Sequence, residues 1–122
     1  MHIVHRRNGS ARRLVSRAEH VSSLGSRVVG LVRLAAGDEY ALVFEFESVG
    51  EHRASTLATP LALDVVWTND GRVTRVARLP KWTGTARGIG DMVIEFPEER
   101  ADDVEPGDEL LVRQSHSSRS TE

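Results

Sequence analysis

Asp64 is the residue whose type and position point most directly to chemistry. It lies in an apolar run with the alternation of a strand, on the same face as Val66. A carboxylate among apolar side chains needs a partner, or burial raises its pKa. It can therefore serve as a general base or as a ligand anchor in a cleft. Alternatively, it pairs with an arginine such as Arg33, Arg53 or Arg75, or caps backbone amides, and we favour this structural interpretation.

Arg53 and Trp82 complete a candidate ligand-binding surface around Asp64. Trp82 lies in a predicted loop, where a tryptophan either packs over the edge of a core or faces a partner. Arg53 precedes the strand of Asp64 and carries a cation that suits an anionic ligand. We predict that Asp64, Arg53 and Trp82 bind a small molecule or a protein, and we predict neither a catalytic residue nor a cofactor.

Four arginines near the N-terminus form a second candidate site: Arg6, Arg7, Arg12 and Arg13. Such a basic cluster can neutralise the phosphates of a nucleic acid. No aromatic residue interleaves these arginines as a stacking platform for bases, however. Residues 91–109 carry nine carboxylates and one arginine. Pairing of the arginines with this acidic stretch is therefore the favoured interpretation, and nucleic acid is the less favoured partner.

Metal and nucleophile chemistry have little support in the sequence. The chain has no cysteine, which excludes disulfides, thiolate zinc sites and cysteine nucleophiles. His2 and His5 are three positions apart on a predicted strand and point to opposite faces, so they do not form a zinc pair. No serine lies in a nucleophile-elbow pattern. The glycines of residues 80–91 fit neither dinucleotide nor phosphate-loop spacing, so this segment predicts a flexible connection.

The elements that must position these residues are mostly strands. Residues 61–79 predict a hairpin, because apolar alternation flanks the turn formers Asn69-Asp70-Gly71. Residues 1–17 predict a basic hairpin that turns at Asn8-Gly9 and belongs to the same domain. Residues 22–34 predict the main helix, with serines available to cap its first amides.

A single α+β domain accounts for a chain of 122 residues. A short helical turn is expected at about residues 98–104, and Gly37-Asp38 marks a turn. We predict a β-rich small mixed barrel with one main helix, a globular domain over residues 18–113 and a disordered tail over 114–122. No apolar run approaches the length of a membrane span, and the N-terminus lacks a secretory signal, so a cytoplasmic location is expected.

Three segments form a recognisable combination: the helix segment with Gly30-Leu31, the hairpin PLALDVVWTNDGRV, and the pair MVIEF and VEPGDEL. Their order and spacing resemble domain of unknown function family 192, a widespread family of small, uncharacterised bacterial and archaeal proteins. Val32 stands where members carry methionine, and Ala62 stands where they carry proline. Ser55-Thr56 replaces a His-Met or similar pair ahead of the hairpin. The chain therefore resembles a divergent member.

The resemblance implies a compact β-rich fold with a packed helix over about residues 18–113, and no activity carries over from it. The leading hypothesis is an uncharacterised prokaryotic accessory protein that binds a ligand or a protein without catalysis. The first alternative is an enzyme that uses Asp64 as acid or base on an anionic small molecule, with Arg33 or Arg53 as the anion-binding group. The second alternative is a nucleic-acid accessory protein that uses the N-terminal arginines.

Overall fold

The computed structural model of the protein describes residues 1–36 and 39–114. The predicted Gly37-Asp38 turn and the predicted tail beyond residue 114 lie outside the described residues. The elements in chain order are β1 (His2–Arg7), β2 (Ser10–Val15), β3 (Arg17–His20), α1 (Leu24–Ala35), β4 (Tyr40–Ser55), β5 (Leu63–Asn69), β6 (Arg72–Leu79), β7 (Thr85–Pro97) and β8 (Glu109–Arg113).

The eight strands pair in one sheet in the order β2-β1-β8-β6-β5-β7-β4-β3. The β-rich fold with one main helix is thereby confirmed. The two end strands, β2 and β3, are consecutive in sequence and meet at Ser16, beside which the Ala18 N–H donates to the Met1 carbonyl at 2.8 Å. The strand ladders do not join these two ends, so the sheet is open and the predicted barrel is not confirmed.

The predicted central hairpin is confirmed as β5 and β6. Its turn places Asp70 at φ 51° and Gly71 at φ 81°, the two left-handed positions of a tight hairpin turn. A register shift after Trp67 makes Asp64 face Arg78 across the hairpin. Strand β5 lies between β6 and β7 and is buried on both faces over most of its length.

Two apolar clusters fill the two sides of the central strand. Val66 points into the first cluster, to which Ile3 of β1 and Leu110 of β8 also belong. Trp67 points the other way, into a second cluster that includes Leu34 of helix α1. Because side chains alternate along a strand, β5 needs cover on both sides, and the helix supplies part of it.

Strands β4 and β7 form a long ribbon that folds back over β5. An irregularity between Glu45 and Gly50 lets the ribbon bend. Beyond the bend, Gly88 lies so close to Trp67 that a Cβ added there would stand 2.4 Å from the ring atom Cγ. The flexible connection predicted over residues 80–91 is therefore wrong from residue 85 onward, because these glycines let a strand press against the sheet.

Small residues line the inner face of this part of β7 and the position before it. Gly84, Ala86, Gly88 and Gly90 alternate with larger residues that point outward. A Cβ added at Gly90 would lie 2.3 Å from the backbone oxygen of Thr68. The ribbon can reach this position only because the inner side chains are small.

The main helix, predicted at 22–34, is confirmed as α1. The Ser23 hydroxyl accepts the Ser26 N–H at 3.1 Å, and the Ser26 hydroxyl accepts the Ser23 N–H in return, which forms a capping box. Gly30 allows close approach to the sheet, since a Cβ there would lie 2.2 Å from Cδ2 of Leu42. The outward face carries three exposed valines, Val28, Val29 and Val32. Within residues 1–36 and 39–114, no helix has the length and apolarity to cross a membrane.

The short helical turn predicted at about 98–104 is wrong. Successive turns replace it, in which Arg100 N–H donates to the Pro97 carbonyl at 3.1 Å and Val104 N–H to the Ala101 carbonyl at 3.0 Å. Glu99 has a φ of 76°, in the left-handed region, and therefore interrupts any helical continuation.

Candidate functional site

Asp64 is buried in a satisfied ion pair. Its side chain is 2% exposed, and Oδ1 accepts from Nε of Arg78 at 2.8 Å. Oδ2 accepts from Nη2 of Arg78 at 3.3 Å and from the Ala101 N–H at 3.0 Å. Arg78 also pairs with the carboxylate of Asp102. The carboxylate of Asp64 therefore joins β5, β6 and the turns after β7, which agrees with the structural interpretation of this residue.

The arginine that pairs with Asp64 differs from the three considered in the sequence. Arg33 donates to Glu19 at 2.8 Å, and the guanidinium of Arg75 lies over the Trp67 ring at 5.6 Å. Arg53 is exposed on β4, opposite Arg87 of β7. Arg78 takes the position because the register shift in the hairpin places it directly across from Asp64.

Trp82 lies apart from this ion pair. Its side chain is 51% exposed, its φ is 70°, and its backbone N–H donates to the Thr59 carbonyl at 3.0 Å. No hydrogen bond or ion pair among the described residues joins Trp82 or Arg53 to Asp64. The structure therefore does not bring the three residues of the predicted surface together through direct polar contacts.

Asp108 fixes the N-terminal hairpin to the loop before β8. Its carboxylate accepts from Nε and Nη2 of Arg7 at 2.8 and 2.7 Å, contacts Nε2 of His5 at 2.8 Å, and accepts the Glu105 N–H at 2.9 Å. The hydrogen bonds from Arg7, followed by those from His5 and Glu105, hold the pKa of Asp108 well below its usual range.

Two more of the N-terminal arginines pair with acidic residues. Nε of Arg6 donates to Glu109 at 2.8 Å, and Nη2 of Arg12 donates to Asp103 at 3.2 Å. Arg13 is exposed and makes no ion pair with the described residues. The internal pairing favoured from the sequence thus occurs for Arg6, Arg7 and Arg12.

A groove of about 520 Å³ lies beside the C-terminal half of α1. We call it the helix groove. It lies between the end of helix α1, the loop that precedes β5, the loop that follows β6 and the end of β7. Trp82 follows one of its lining residues directly in sequence. The lining residues that matter below are Leu34, Pro60, Leu61, Pro80, Lys81 and Glu98.

Glu95 is a second buried carboxylate, on the side of the sheet that faces α1. It stands on β7 between Leu42 of β4 and Val65 of β5. Its side chain is 4% exposed, and Nη2 of Arg27 lies 3.4 Å from its Oε2. Its Oε1 is buried and has no hydrogen-bond partner among the described residues. Burial raises the pKa of Glu95, an effect that the cation of Arg27 opposes.

Sequence reasoning missed Glu95, although a usable signal was present. The residue stands in the run MVIEF between two apolar residues that point to the opposite face. The logic that singled out Asp64, a carboxylate within an apolar strand, applies equally here. Arg27 carried no comparable signal, because an arginine on an amphipathic helix usually faces solvent.

A family model matches residues 4–112 of the chain, almost its whole length. The model is DUF192, described as an uncharacterized ACR in the group COG1430. The chain belongs to the DUF192 family. The resemblance drawn from the helix and hairpin segments is thereby confirmed, and the match also extends into the N-terminal hairpin. Among curated proteins, no match was found.

Two solved structures share the fold of this DUF192 protein. A protein of unknown function from Novosphingobium aromaticivorans DSM 12444 has 18% identity and a TM-score of 0.73, covering 91% of this chain and 84% of its own. A Sinorhizobium meliloti 1021 protein, provisionally described as a transcription regulator, has 18% identity and a TM-score of 0.73, covering 90% of this chain and 91% of its own. At this identity the likeness establishes the fold alone.

Proposed function

We propose that the protein is a non-enzymatic, cytoplasmic binding domain that takes a small molecule with an apolar body and a polar head group in the helix groove. The groove itself is the observation that carries this proposal. Its volume of about 520 Å³ lies within the range of about 300–1,000 Å³ typical of small-molecule sites.

The walls of the helix groove suit an apolar ligand body. Leu34 and Leu61 supply aliphatic surface, and Pro60 and Pro80 supply rigid apolar surface without backbone N–H groups. Rigid walls lose little conformational freedom when a ligand binds, which favours affinity. Apolar walls with few polar groups are the composition expected of a ligand site.

The charged groups of the helix groove suit a polar head group. Lys81 and Glu98 contribute one cation and one carboxylate to the lining. Trp82 is the next residue after Lys81 and is half-exposed. It therefore offers an optical probe of binding close to the groove, as well as apolar surface for a ligand.

The test uses anilinonaphthalene sulfonate, a dye with an apolar ring system and an anionic head. We expect saturable dye binding with energy transfer from tryptophan. Leu61→Asp should weaken binding at least tenfold, because it places a charge in the apolar wall, and Lys81→Met should weaken it by removing the cation. Val49→Asp is the matched control, since Val49 is an exposed valine at the bend of the ribbon and does not line the groove.

Thermal unfolding of each variant would verify that the fold is intact. Absence of saturable dye binding would refute the site. Equal weakening by Leu61→Asp and Val49→Asp would show that the dye binds elsewhere, and the helix groove would then have to be abandoned as the ligand site.

The two other functions have weaker support. Acid–base catalysis by Asp64 needs a substrate within reach of its carboxylate. Both oxygens of that carboxylate already accept hydrogen bonds, from Arg78 and from the Ala101 N–H. Nucleic-acid binding agrees with the provisional description of the Sinorhizobium meliloti relative. Three of the four N-terminal arginines are engaged with carboxylates, however, so a phosphate would have to displace those partners.

A further inference from the structure

The buried pair of Glu95 and Arg27 has unused hydrogen-bonding capacity. Oε1 of Glu95 lacks a partner among the described residues, and a buried acceptor without a donor is unfavourable by about 1–3 kcal/mol. Such a group in a native fold needs a physical explanation. Apolar Leu42 and Val65 flank it in the sheet and cannot donate.

Arg27 holds this carboxylate loosely. Its Nη2 lies 3.4 Å from Oε2 of Glu95 and 3.3 Å from the backbone oxygen of Ser55. Both distances exceed the usual range of about 2.7–3.2 Å for such bonds, because one nitrogen is shared between two acceptors. The other N–H groups of the guanidinium make no hydrogen bond with the described residues. The site therefore offers an acceptor on Glu95 and donors on Arg27 side by side.

Arg27 is the more exposed member of the pair. The side chain of Arg27 is 25% exposed while that of Glu95 is 4% exposed, and Oε1 of Glu95 is itself buried. Access to Oε1 therefore requires the side chain of Arg27 to shift from its long contacts with Glu95 and Ser55, and its unused N–H groups remain available to a ligand. None of the residues that line the helix groove takes part in this site.

The charge of the pair defines the class of ligand. Glu95 and Arg27 together carry no net charge, and adding an unpaired charge beside a buried pair carries a large desolvation penalty. A cationic group would face Arg27, and an anionic group would face Glu95. A neutral group with a donor next to an acceptor satisfies both residues at once. We propose that Glu95 and Arg27 form a second binding site, which recognises a primary carboxamide through its N–H on Oε1 and its carbonyl oxygen on the guanidinium.

The test compares three molecules that share a phenyl ring and differ only in the polar group. Benzamide offers a donor and an acceptor, benzamidine offers donors with a positive charge, and benzoate offers acceptors with a negative charge. Each is titrated into the full chain and followed by nitrogen–proton NMR, including the side-chain N–H of Arg27. We expect saturable shifts with benzamide and at least tenfold weaker binding of the two charged molecules.

Variants test the acceptor of Glu95 and the donors of Arg27 separately. Glu95→Leu should abolish benzamide binding, and Arg27→Met should weaken it at least tenfold. Glu95→Gln keeps an acceptor and covers the case that the leucine variant does not fold; it should retain benzamide and lose any residual benzamidine binding. Glu47→Gln, at an exposed glutamate of the ribbon bend, is the control and should bind as the parent does.

Each alternative outcome overturns part or all of the inference. Benzamidine or benzoate binding as tightly as benzamide would show that the ligand class is wrong. Absence of saturable shifts with all three, or shifts that persist in Glu95→Leu, would show that this is no site. Dye binding in the helix groove is measured independently, so failure here leaves the proposed function standing.

Discussion

Replacing Asp64 tests whether its carboxylate is a structural group. Asp64→Ala removes the acceptor of the Ala101 N–H, which stands at 3.0 Å within a buried environment. It also removes the partner of Arg78, whose side chain is 44% exposed and can be hydrated instead. The stability loss should therefore come mainly from the orphaned backbone amide and the space left behind, and much less from the ion pair.

The magnitude follows from these contributions. A buried amide without its acceptor is unfavourable by about 1–3 kcal/mol, and partial collapse around the lost carboxylate adds a smaller cavity contribution. We expect Asp64→Ala to lower the free energy of unfolding by about 2–3 kcal/mol. Asp64→Asn keeps one side-chain oxygen for the Ala101 N–H, so the expected loss is about 1 kcal/mol.

Urea unfolding followed by tryptophan fluorescence measures these losses. Trp67 is fully buried and its Nε1 donates to the His52 carbonyl at 2.8 Å, so its emission reports the folded-back ribbon. A Trp82→Phe background removes the exposed tryptophan. A loss below about 0.5 kcal/mol in Asp64→Ala would refute the structural role. Loss of dye binding in a fully folded Asp64→Asn variant would show that the residue serves the ligand site.

Two further predictions concern pH and packing. Hydrogen bonds from Arg7 are the main cause of the depressed pKa of Asp108, so its carboxylate stabilises the fold above the unfolded-state pKa of about 4 and this contribution is lost as pH falls. In Asp108→Asn, the free energy of unfolding should be lower at pH 7 and should decline less below pH 4. Parallel pH curves for the variant and the parent would contradict this account. Gly88→Ala should lower the free energy of unfolding by about 1–3 kcal/mol in the same urea assay, because its Cβ would strike the Trp67 ring. The control is Gly25→Ala, whose Cβ would meet the Ser23 hydroxyl oxygen at an ordinary contact distance of 3.9 Å, so it should be neutral or stabilising.

The central hairpin was predictable because local signals decide it. Alternating apolar residues and the Asp70-Gly71 pair fix the strands and the turn without reference to the rest of the chain. The partner of Asp64 was not predictable in the same way. Counting back from the turn without a register shift places Ala77 opposite Asp64, and the shift after Trp67 places Arg78 there instead.

The return of the β4–β7 ribbon over the sheet depends on contacts between distant parts of the chain. The sequence shows the glycines of residues 84–90, but the ring that Gly88 accommodates belongs to Trp67, some twenty positions earlier. A glycine-rich segment therefore reads as a loop until its packing partner is known. Whether the sheet closes was unpredictable for the same reason. Closure depends on whether the end strands β2 and β3 pair, and the local sequence of these two strands does not indicate whether they do.

The glycine and alanine residues on the inner face of β7 divide this strand into two sides with unequal freedom to vary. Thr85, Arg87 and Ile89 are exposed on the opposite side. Substitutions there leave the close approach to the sheet untouched, so new recognition residues can be introduced without disturbing the architecture. The ribbon thus offers protein engineers an exchangeable display surface on a fixed support, a place where binding specificity can be diversified independently of folding.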